Sequence, residues 1–158
     1  MGQLPIIAFS KDWTGDHTSN HHVLRELAKT RRVLWINSIG TRAPSLASGR
    51  DLGTIRRKLT EVAKAAQNVE NDLWAVTPLV LPMAKSPAMR KLNRLLIKTL
   101  IGAARRRLGI EAFELWTFLP NVADYVDLGQ AITVYYCVDE WSLFEYLDKD
   151  ATVSAERE

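Results

Sequence analysis

The chain has 158 residues, 47% of them hydrophobic and 25% charged, which is typical of one globular domain and excludes a disordered or fibrous protein. Its single cysteine excludes an internal disulfide and a CxxC metal site, which favours a reducing, cytoplasmic location. No run of about 18 apolar residues is present, so no membrane-spanning helix is predicted.

The charges are unevenly distributed along the chain. Residues 1–110 carry 19 Lys and Arg against 7 Asp and Glu, a net +12, whereas residues 111–158 carry 2 against 11, a net −9. The asymmetry predicts that one face meets an anionic partner: a phosphorylated substrate, an anionic membrane surface or nucleic acid.

The first third of the chain predicts a βαβ unit with a right-handed crossover. Residues 5–9 form an apolar run typical of a buried parallel strand, and a polar loop over residues 12–20 follows it. A helix follows that Ser19 or Asn20 can cap, and residues 32–39 form a second apolar strand. Apolar residues at helical spacing indicate the helix: Val23, Leu24, Leu27 and Ala28.

The middle of the chain predicts two helices and a strand. Residues 52–67 indicate a helix and residues 73–76 a third strand. A long helix is predicted from Pro87, which suits a first helical turn, to Leu108, with Gly109 just after its end.

Residues 113–118 and 131–138 predict the fourth and fifth strands, joined by a helical crossover over residues 121–128. Another helix begins at Ser142, and residues 152–158 indicate the start of a charged helix without a stop signal. Strands alternating with helices predict an α/β fold, a Rossmann-like parallel sheet with helices on both faces. We expect residues 1–158 to be one such domain, incomplete at its C-terminus.

The loop after the first strand holds most of the candidate substrate-binding residues, because ligands of open α/β sheets bind beyond the carboxyl ends of the strands. These candidates are Trp13, Gly15, Asp16, His17, Ser19 and His22. The loop has neither the GxGxxG pattern of dinucleotide sites nor a Walker A pattern, which argues against both functions. Three histidines, at 17, 21 and 22, raise the idea of a metal site, but capping and polar contacts are favoured over a metal.

Further candidates follow the second and fifth strands. Asn37 and Arg42 come after the second strand, and Arg42 suits a phosphate or carboxylate but equally a solvated loop. Asp139 is the candidate catalytic residue, as a general base toward a sugar hydroxyl, and its alternative role is a helix N-cap. Glu140 and Trp141 beside it are candidate substrate contacts, although Trp141 equally suits the core.

The segment from Lys85 to Arg107 carries eight basic residues and no acidic one. A helix with one apolar and one basic side suits an anionic membrane surface, and it equally suits a core-facing helix with a solvated basic face. Nucleic acid is the least favoured partner, because no recognised binding motif accompanies the charge.

Several of these segments together resemble bacterial glycosyltransferases of the GT-B fold that build surface polysaccharides, including the teichuronic-acid type. The resemblance covers nearly the whole chain and rests on Asp12-Trp13, the run from Ser19 to Leu24 (SNHHVL), the run from Arg32 to Gly40 (RVLWINSIG) and the run from Tyr135 to Ser142 (YYCVDEWS).

The resemblance implies the N-terminal, acceptor-binding half of a two-domain enzyme that acts at the inner face of the cytoplasmic membrane. Such enzymes are retaining and need no metal or cofactor, and a C-terminal domain binds the nucleotide-sugar. The groups that grip the donor phosphates would then lie beyond residue 158, and these 158 residues alone would be inactive. Some related enzymes carry a histidine after the fourth strand, where this chain has Thr117-Phe118-Leu119-Pro120.

Two other classes of function remain as alternatives. One is a non-catalytic Rossmann-like module that binds an anionic membrane surface or a partner. The other is a nicotinamide-dependent oxidoreductase, which the missing glycine fingerprint after Phe9 disfavours.

Overall fold

The computed structural model describes residues 3–39, 66–78, 80, 86–119, 122, 125 and 127–137. These residues contain two helices, α1 (Ser19–Leu27) and α2 (Pro87–Leu108). The strands are β1 (Ile6–Phe9), β2 (Val33–Ile36), β3 (Gln67–Glu70), β4 (Leu73–Val76), β5 (Glu114–Thr117) and β6 (Ile132–Tyr135).

The strands form one sheet in the order β3-β4-β2-β1-β5-β6. β4, β2, β1, β5 and β6 run parallel, while β3 pairs antiparallel with β4 at one edge. β1 and β2 are buried throughout, which explains their unbroken apolar sequences. The carboxyl ends of the five parallel strands therefore meet along a single edge of the sheet.

Each face of the sheet is covered by one of the two described helices. Ile6 and Ala8 of β1 belong to an apolar cluster that includes Leu24 of α1. Ile7 and Phe9 belong to a second cluster that includes Ile97, Leu100 and Ile101 of α2. Alternate residues of a strand point to opposite faces, so the two clusters lie on opposite sides of the sheet. The α/β class with helices on both faces is confirmed.

Both ends of α2 are those predicted from its sequence. Ser86 precedes the helix in an extended conformation, and Pro87 occupies the first turn, where no backbone N–H is needed. Gly109 ends the helix with φ of 65°, in the left-handed region that favours glycine. The amide of Ile110 donates to the carbonyl of Arg105 at 2.9 Å, which satisfies one of the last helical carbonyls. Neither α1 nor α2, the two helices among the described residues, is long and apolar enough to cross a bilayer.

The prediction of a wholly parallel sheet is wrong at one edge, because β3 makes the sheet mixed. Gln67, predicted as the end of a helix, begins β3 instead. β3 has the sequence QNVE, which has no apolar alternation because the strand lies exposed or half-buried at the edge. Asn71, with φ of 48°, turns the chain into β4, and the side chain of Asn68 donates to its carbonyl at 2.8 Å.

Some predicted elements fall outside the described residues. These are residues 52–65 of the predicted second helix, most of the crossover over residues 121–128, and the helices from Ser142 onward.

Arginines hold together the amino edge of the sheet. Arg31 donates to Glu114 at 2.9 Å, and Arg32 bonds both carboxylate oxygens of Asp72 at 2.9 and 3.1 Å. Arg105 donates to the carbonyls of Ile110, Glu111 and Leu128, and its guanidinium lies over the ring of Phe113. These contacts satisfy carbonyls in the connections around α2 and β5, so part of the basic charge of this chain stabilises the fold.

The two edge strands differ in character. β3 is polar and has a bulge between Asn68 and Glu70. β6 exposes apolar side chains, with Ile132 53% and Tyr135 39% exposed. Polar, bulged edges resist the addition of another strand, whereas flat apolar edges accept one.

Candidate binding site at the carboxyl edge of the sheet

The loop between β1 and α1 is bound to the ends of its neighbouring strands by Asn37, which directly follows β2. The carbonyl of the Asn37 side chain accepts the backbone N–H of Trp13 at 2.9 Å. Its amide group donates to the hydroxyl of Thr77, just after β4, at 2.8 Å. Asn37 thus links three neighbouring strand ends, and its side chain acts on the protein itself.

Asp12 makes a second link in the same loop. Its side chain accepts the backbone N–H of Ser38 at 3.1 Å, and its carbonyl accepts the N–H of Gly15 at 3.0 Å. A Cβ atom on Gly15 would lie 3.2 Å from that carbonyl oxygen, so the tight turn favours glycine. Gly15 therefore shapes the loop.

Buried polar groups lie beneath the loop. Ser10 is 0% and Asn20 2% exposed, and the Asn20 amide donates to the Ser10 hydroxyl at 3.1 Å. The backbone N–H of Ser10 donates to Ile36 at 3.1 Å, which continues the β1–β2 pairing past the end of the strand. Because buried polar groups are costly unless bonded, these pairs define one arrangement for the start of the loop and of α1.

His21 is a buried structural residue, and the geometry defines its tautomer. The backbone N–H of Thr18 donates to Nδ1 of His21 at 3.2 Å, so Nδ1 must carry the lone pair. The proton is then on Nε2, which donates to the carbonyl of Trp13 at 3.2 Å. Both ring nitrogens are occupied by backbone groups, as expected for a residue that caps the first turn of α1.

Burial lowers the pKa of His21 below its ordinary value of 6.5. The hydrogen bond to Trp13 acts in the opposite direction, and the charges of His17, Arg25 and His22 lower the pKa further. The neutral form of His21 is therefore the one that fits the fold.

Trp13 is half-buried and forms a wall of the loop. Its ring meets Trp35 edge-on, with centroids 5.2 Å apart, and lies 5.3 Å from the ring of His21. The guanidinium of Arg25 lies 5.0 Å from the Trp13 ring centroid, in cation–π geometry. Trp13 therefore offers a partly exposed aromatic surface that its neighbours hold in position.

The solvent-facing side of the loop carries the exposed residues Asp16, His17, Ser19 and His22. His17 lies against His21, with ring centroids 4.7 Å apart, and its Nδ1 is 3.4 Å from Nη1 of Arg25. Together these residues offer a carboxylate, imidazoles and a hydroxyl at the carboxyl edge. Such groups can form hydrogen bonds with sugar hydroxyls. Among the described residues, no three or more His, Cys, Asp or Glu side chains are grouped in a way that suits a metal ion.

The structure brings one set of the predicted site residues together, and the other set lies outside the described residues. Asn37 and the loop candidates lie at the ends of β1 and β2. Arg42, Asp139, Glu140 and Trp141 lie outside the described residues, so the catalytic assignment of Asp139 stays a prediction.

The end of β5 contributes less than its sequence suggests. The Thr117 hydroxyl donates to the carbonyl of Leu119 at 2.8 Å and is therefore occupied in a local turn. Aromatic rings remain there, with Phe118 and Tyr136 5.1 Å apart.

Sequence reasoning missed the role of Arg25 and Glu70. Arg25 lies on the second turn of α1, and its Nε is 2.7 Å from the Glu70 carboxylate. Because Glu70 belongs to the unpredicted strand β3, no spacing in the sequence connects it with the loop.

No protein-family model, no curated protein and no solved structure matches this chain. We therefore infer function from the geometry of the loop and from the motifs of the sequence.

Proposed function

We propose that the protein is a glycosyltransferase that transfers a sugar from a nucleotide-sugar to a lipid-linked or polysaccharide acceptor, with this chain forming the acceptor side. One observation carries the proposal. Asn37, Asp12 and His21 hold the β1–α1 loop from beneath, while Asp16 and His17 stay exposed at the carboxyl edge of the sheet.

The chemistry of the loop suits a carbohydrate. A sugar presents many hydroxyl groups, each both donor and acceptor, and the loop offers a carboxylate acceptor at Asp16 and an imidazole at His17. The Trp13 ring supplies an apolar surface of the kind that packs on sugar rings. Because the loop is already bonded to Asn37 and Ser38 after β2, and Asn37 is bonded to Thr77 after β4, binding would cost little ordering of the protein.

The proposal assigns further roles outside the described residues. Asp139 would act as general base toward the acceptor hydroxyl, with Arg42, Glu140 and Trp141 as additional contacts. The nucleotide-sugar, the only co-substrate, would bind a second domain that these 158 residues do not include. The enzyme would act in the cytoplasm, at the inner face of the membrane.

The test is a transfer assay on the protein expressed from its complete gene. Nucleotide release is measured with a panel of nucleotide-sugars and with lipid-linked and polysaccharide acceptors. The double variant Asp16→Asn with His17→Ala is expected to lower kcat/KM for the acceptor by about 100-fold, which corresponds to about 3 kcal/mol of lost hydrogen bonding. Glu111→Gln, an exposed change beyond the end of α2, serves as the control and should leave the rate unchanged. Absence of nucleotide release in every combination would overturn the proposal.

A non-catalytic module that binds an anionic membrane is the second candidate, and the outer face of α2 favours it. Arg90, Lys91 and Arg106 are exposed, and Leu95, between them on the helix, is 60% exposed. Some described residues of the basic segment from Lys85 to Arg107 make contacts within the protein. Arg105 binds carbonyls, and Arg94 and Lys98 both pair with Asp127.

Vesicle binding tests this second candidate. Each basic residue at an anionic surface contributes about 1 kcal/mol, so the double variant Arg90→Gln with Lys91→Gln should weaken partitioning about 30-fold. Lys29→Gln, an exposed change just past the end of α1, is the matched control. Equal binding to neutral and anionic vesicles would exclude this candidate.

A further inference from the structure

Three charged or ionisable side chains from three elements meet beside the loop. Glu70 at the end of β3 lies 2.7 Å from Nε of Arg25 on α1, and Nη1 of Arg25 lies 3.4 Å from Nδ1 of His17. The contact between Glu70 and Arg25 is an ion pair, defined by the distance between the nitrogen and the oxygen. It is not a hydrogen bond, because Nε of Arg25 has no hydrogen-bond partner among the described residues.

The contact with Arg25 determines where His17 carries its proton. Arginine is always protonated and can only donate, so Nδ1 of His17 must be the acceptor. The proton of neutral His17 is then on Nε2. Within the described chain no group bonds to that Nε2, and His17 is exposed.

We propose that Arg25 is a positioning residue that orients His17, so that His17 donates its Nε2 proton to an oxygen atom of the bound acceptor. The role toward an acceptor rests on the proposed function, whereas the orientation of His17 rests on the contacts alone. The group that His17 meets must be a hydrogen-bond acceptor, such as a sugar hydroxyl, ring or carboxylate oxygen.

Arg25 is itself held by a third contact, which distinguishes it from a mobile surface arginine. Its guanidinium lies over the Trp13 ring at 5.0 Å, and its side chain is 28% exposed. His17 is supported from the other side by the buried ring of His21 at 4.7 Å. With these contacts on one side, His17 stays exposed to solvent at the carboxyl edge.

Nitrogen NMR of the histidine rings tests the orientation without any activity. The chain is labelled with ¹⁵N-histidine and studied at about pH 8, where a histidine of ordinary pKa is neutral. The His17 signals are assigned by their loss in His17→Ala. We expect a single Nε2–H tautomer in the original sequence and a mixture of tautomers in Arg25→Met, which keeps the length of the stem but removes the donor.

Two further variants make this result decisive. Arg25→Lys keeps one donor and should restore part of the Nε2–H preference. Lys29→Met, four residues further along and just past the end of α1, should leave the His17 signals unchanged. If Arg25→Met does not fold, Glu70→Gln replaces it, because loss of the ion pair frees Arg25 and should also give a mixture. Identical His17 signals with and without Arg25, or an Nδ1–H tautomer in the original sequence, would overturn the proposal.

The role toward the acceptor is tested separately in the complete protein. Arg25→Met should raise KM for the acceptor about 10-fold and leave KM for the nucleotide-sugar unchanged, as expected for one lost hydrogen bond of about 1.4 kcal/mol. An unchanged acceptor KM overturns this role of His17. Absence of any sugar transfer contradicts the proposed function instead, and the NMR result still decides the orientation.

Discussion

Two histidines four residues apart differ in burial and in their hydrogen-bond partners. His21 is buried with both ring nitrogens bonded to backbone groups, whereas His17 is exposed and bonded at Nδ1 by Arg25. Their spacing in the sequence is that of a metal pair on one helix face. The structure instead makes His21 the support on which His17 rests, because the helix begins at Ser19 and leaves His17 in the loop.

The lowered pKa of His21 predicts a loss of stability in acid. The unfolded chain binds a proton near pH 6.5, and the folded chain binds it only at lower pH. Stability is therefore full above pH 6.5 and should fall by up to about 1.4 kcal/mol per pH unit below it, until the folded pKa is reached. Urea denaturation at several pH values measures this slope.

The matched variants for this measurement are neighbours in the chain. His21→Gln should be less stable at neutral pH but should lose less between pH 6.5 and acid. His22→Gln, an exposed change, should keep the slope of the original sequence. A slope that survives in His21→Gln would show that another group is responsible.

Asn37 illustrates how a predicted binding residue acts on the fold. Asn37→Ala removes the acceptor for the N–H of Trp13 and the donor to Thr77, and should lower the free energy of unfolding by about 1–3 kcal/mol. Hydrogen exchange of the Trp13 amide should accelerate, because the loop loses its link to β2. Gln67→Ala, exposed on β3, is the control, and an unchanged Trp13 exchange rate in Asn37→Ala would contradict this role.

At the scale of elements, the long helix α2 offers a test with opposite signs at two glycines. Gly109 has φ of 65° after the last turn, so Gly109→Ala should lower stability by about 1–2 kcal/mol. Gly102 lies inside the helix with nothing within 4 Å of an added Cβ, so Gly102→Ala should raise stability by about 0.5–1 kcal/mol. Thermal unfolding compares the two, and a change of the same sign in both would refute this account of the helix end.

The elements that could be predicted are those with strong local patterns. β1 and β2 are continuous apolar runs, and α2 has proline and glycine at its ends, so all three were recognisable from sequence. β3 could not be recognised, because its strand conformation comes from a turn at Asn71 and from pairing with β4 rather than from its own side chains. Most of the predicted strands are also longer than the observed ones by a residue or more at an end, because the apolar run in the sequence extends beyond the residues that pair in the sheet.

At the scale of the whole molecule, the site could be predicted only in part. The position of the loop follows from the general rule that strand ends carry ligands, and its polar residues are visible in the sequence. The contacts of Arg25 with His17 and Glu70 depend on the packing of α1 beside β3, which no linear pattern encodes. The bonds that tie the loop to the end of β2, such as that of Trp13 with Asn37 across 24 residues, are of the same kind.

The amino and carboxyl edges of the sheet differ in how their charged side chains are used. At the amino edge, acids and backbone carbonyls are bonded by Arg31, Arg32 and Arg105. These positive charges therefore stabilise the fold. At the carboxyl edge the ionisable groups Asp16 and His17 are exposed. The excess positive charge of the first 110 residues is therefore a poorer guide to a partner than its magnitude suggests.

The two edge strands of the sheet differ in how readily they would pair with a further strand. β3 turns back antiparallel, carries a bulge and presents polar side chains, so it terminates the hydrogen-bonded array. β6 runs with the other parallel strands and shows Ile132 and Tyr135 on its surface. Among the described strands, β6 therefore accepts a further strand more readily than β3 does, whether that strand comes from the same polypeptide or from another molecule at high concentration. A charged residue at Ile132 would be the simplest change to oppose pairing between molecules.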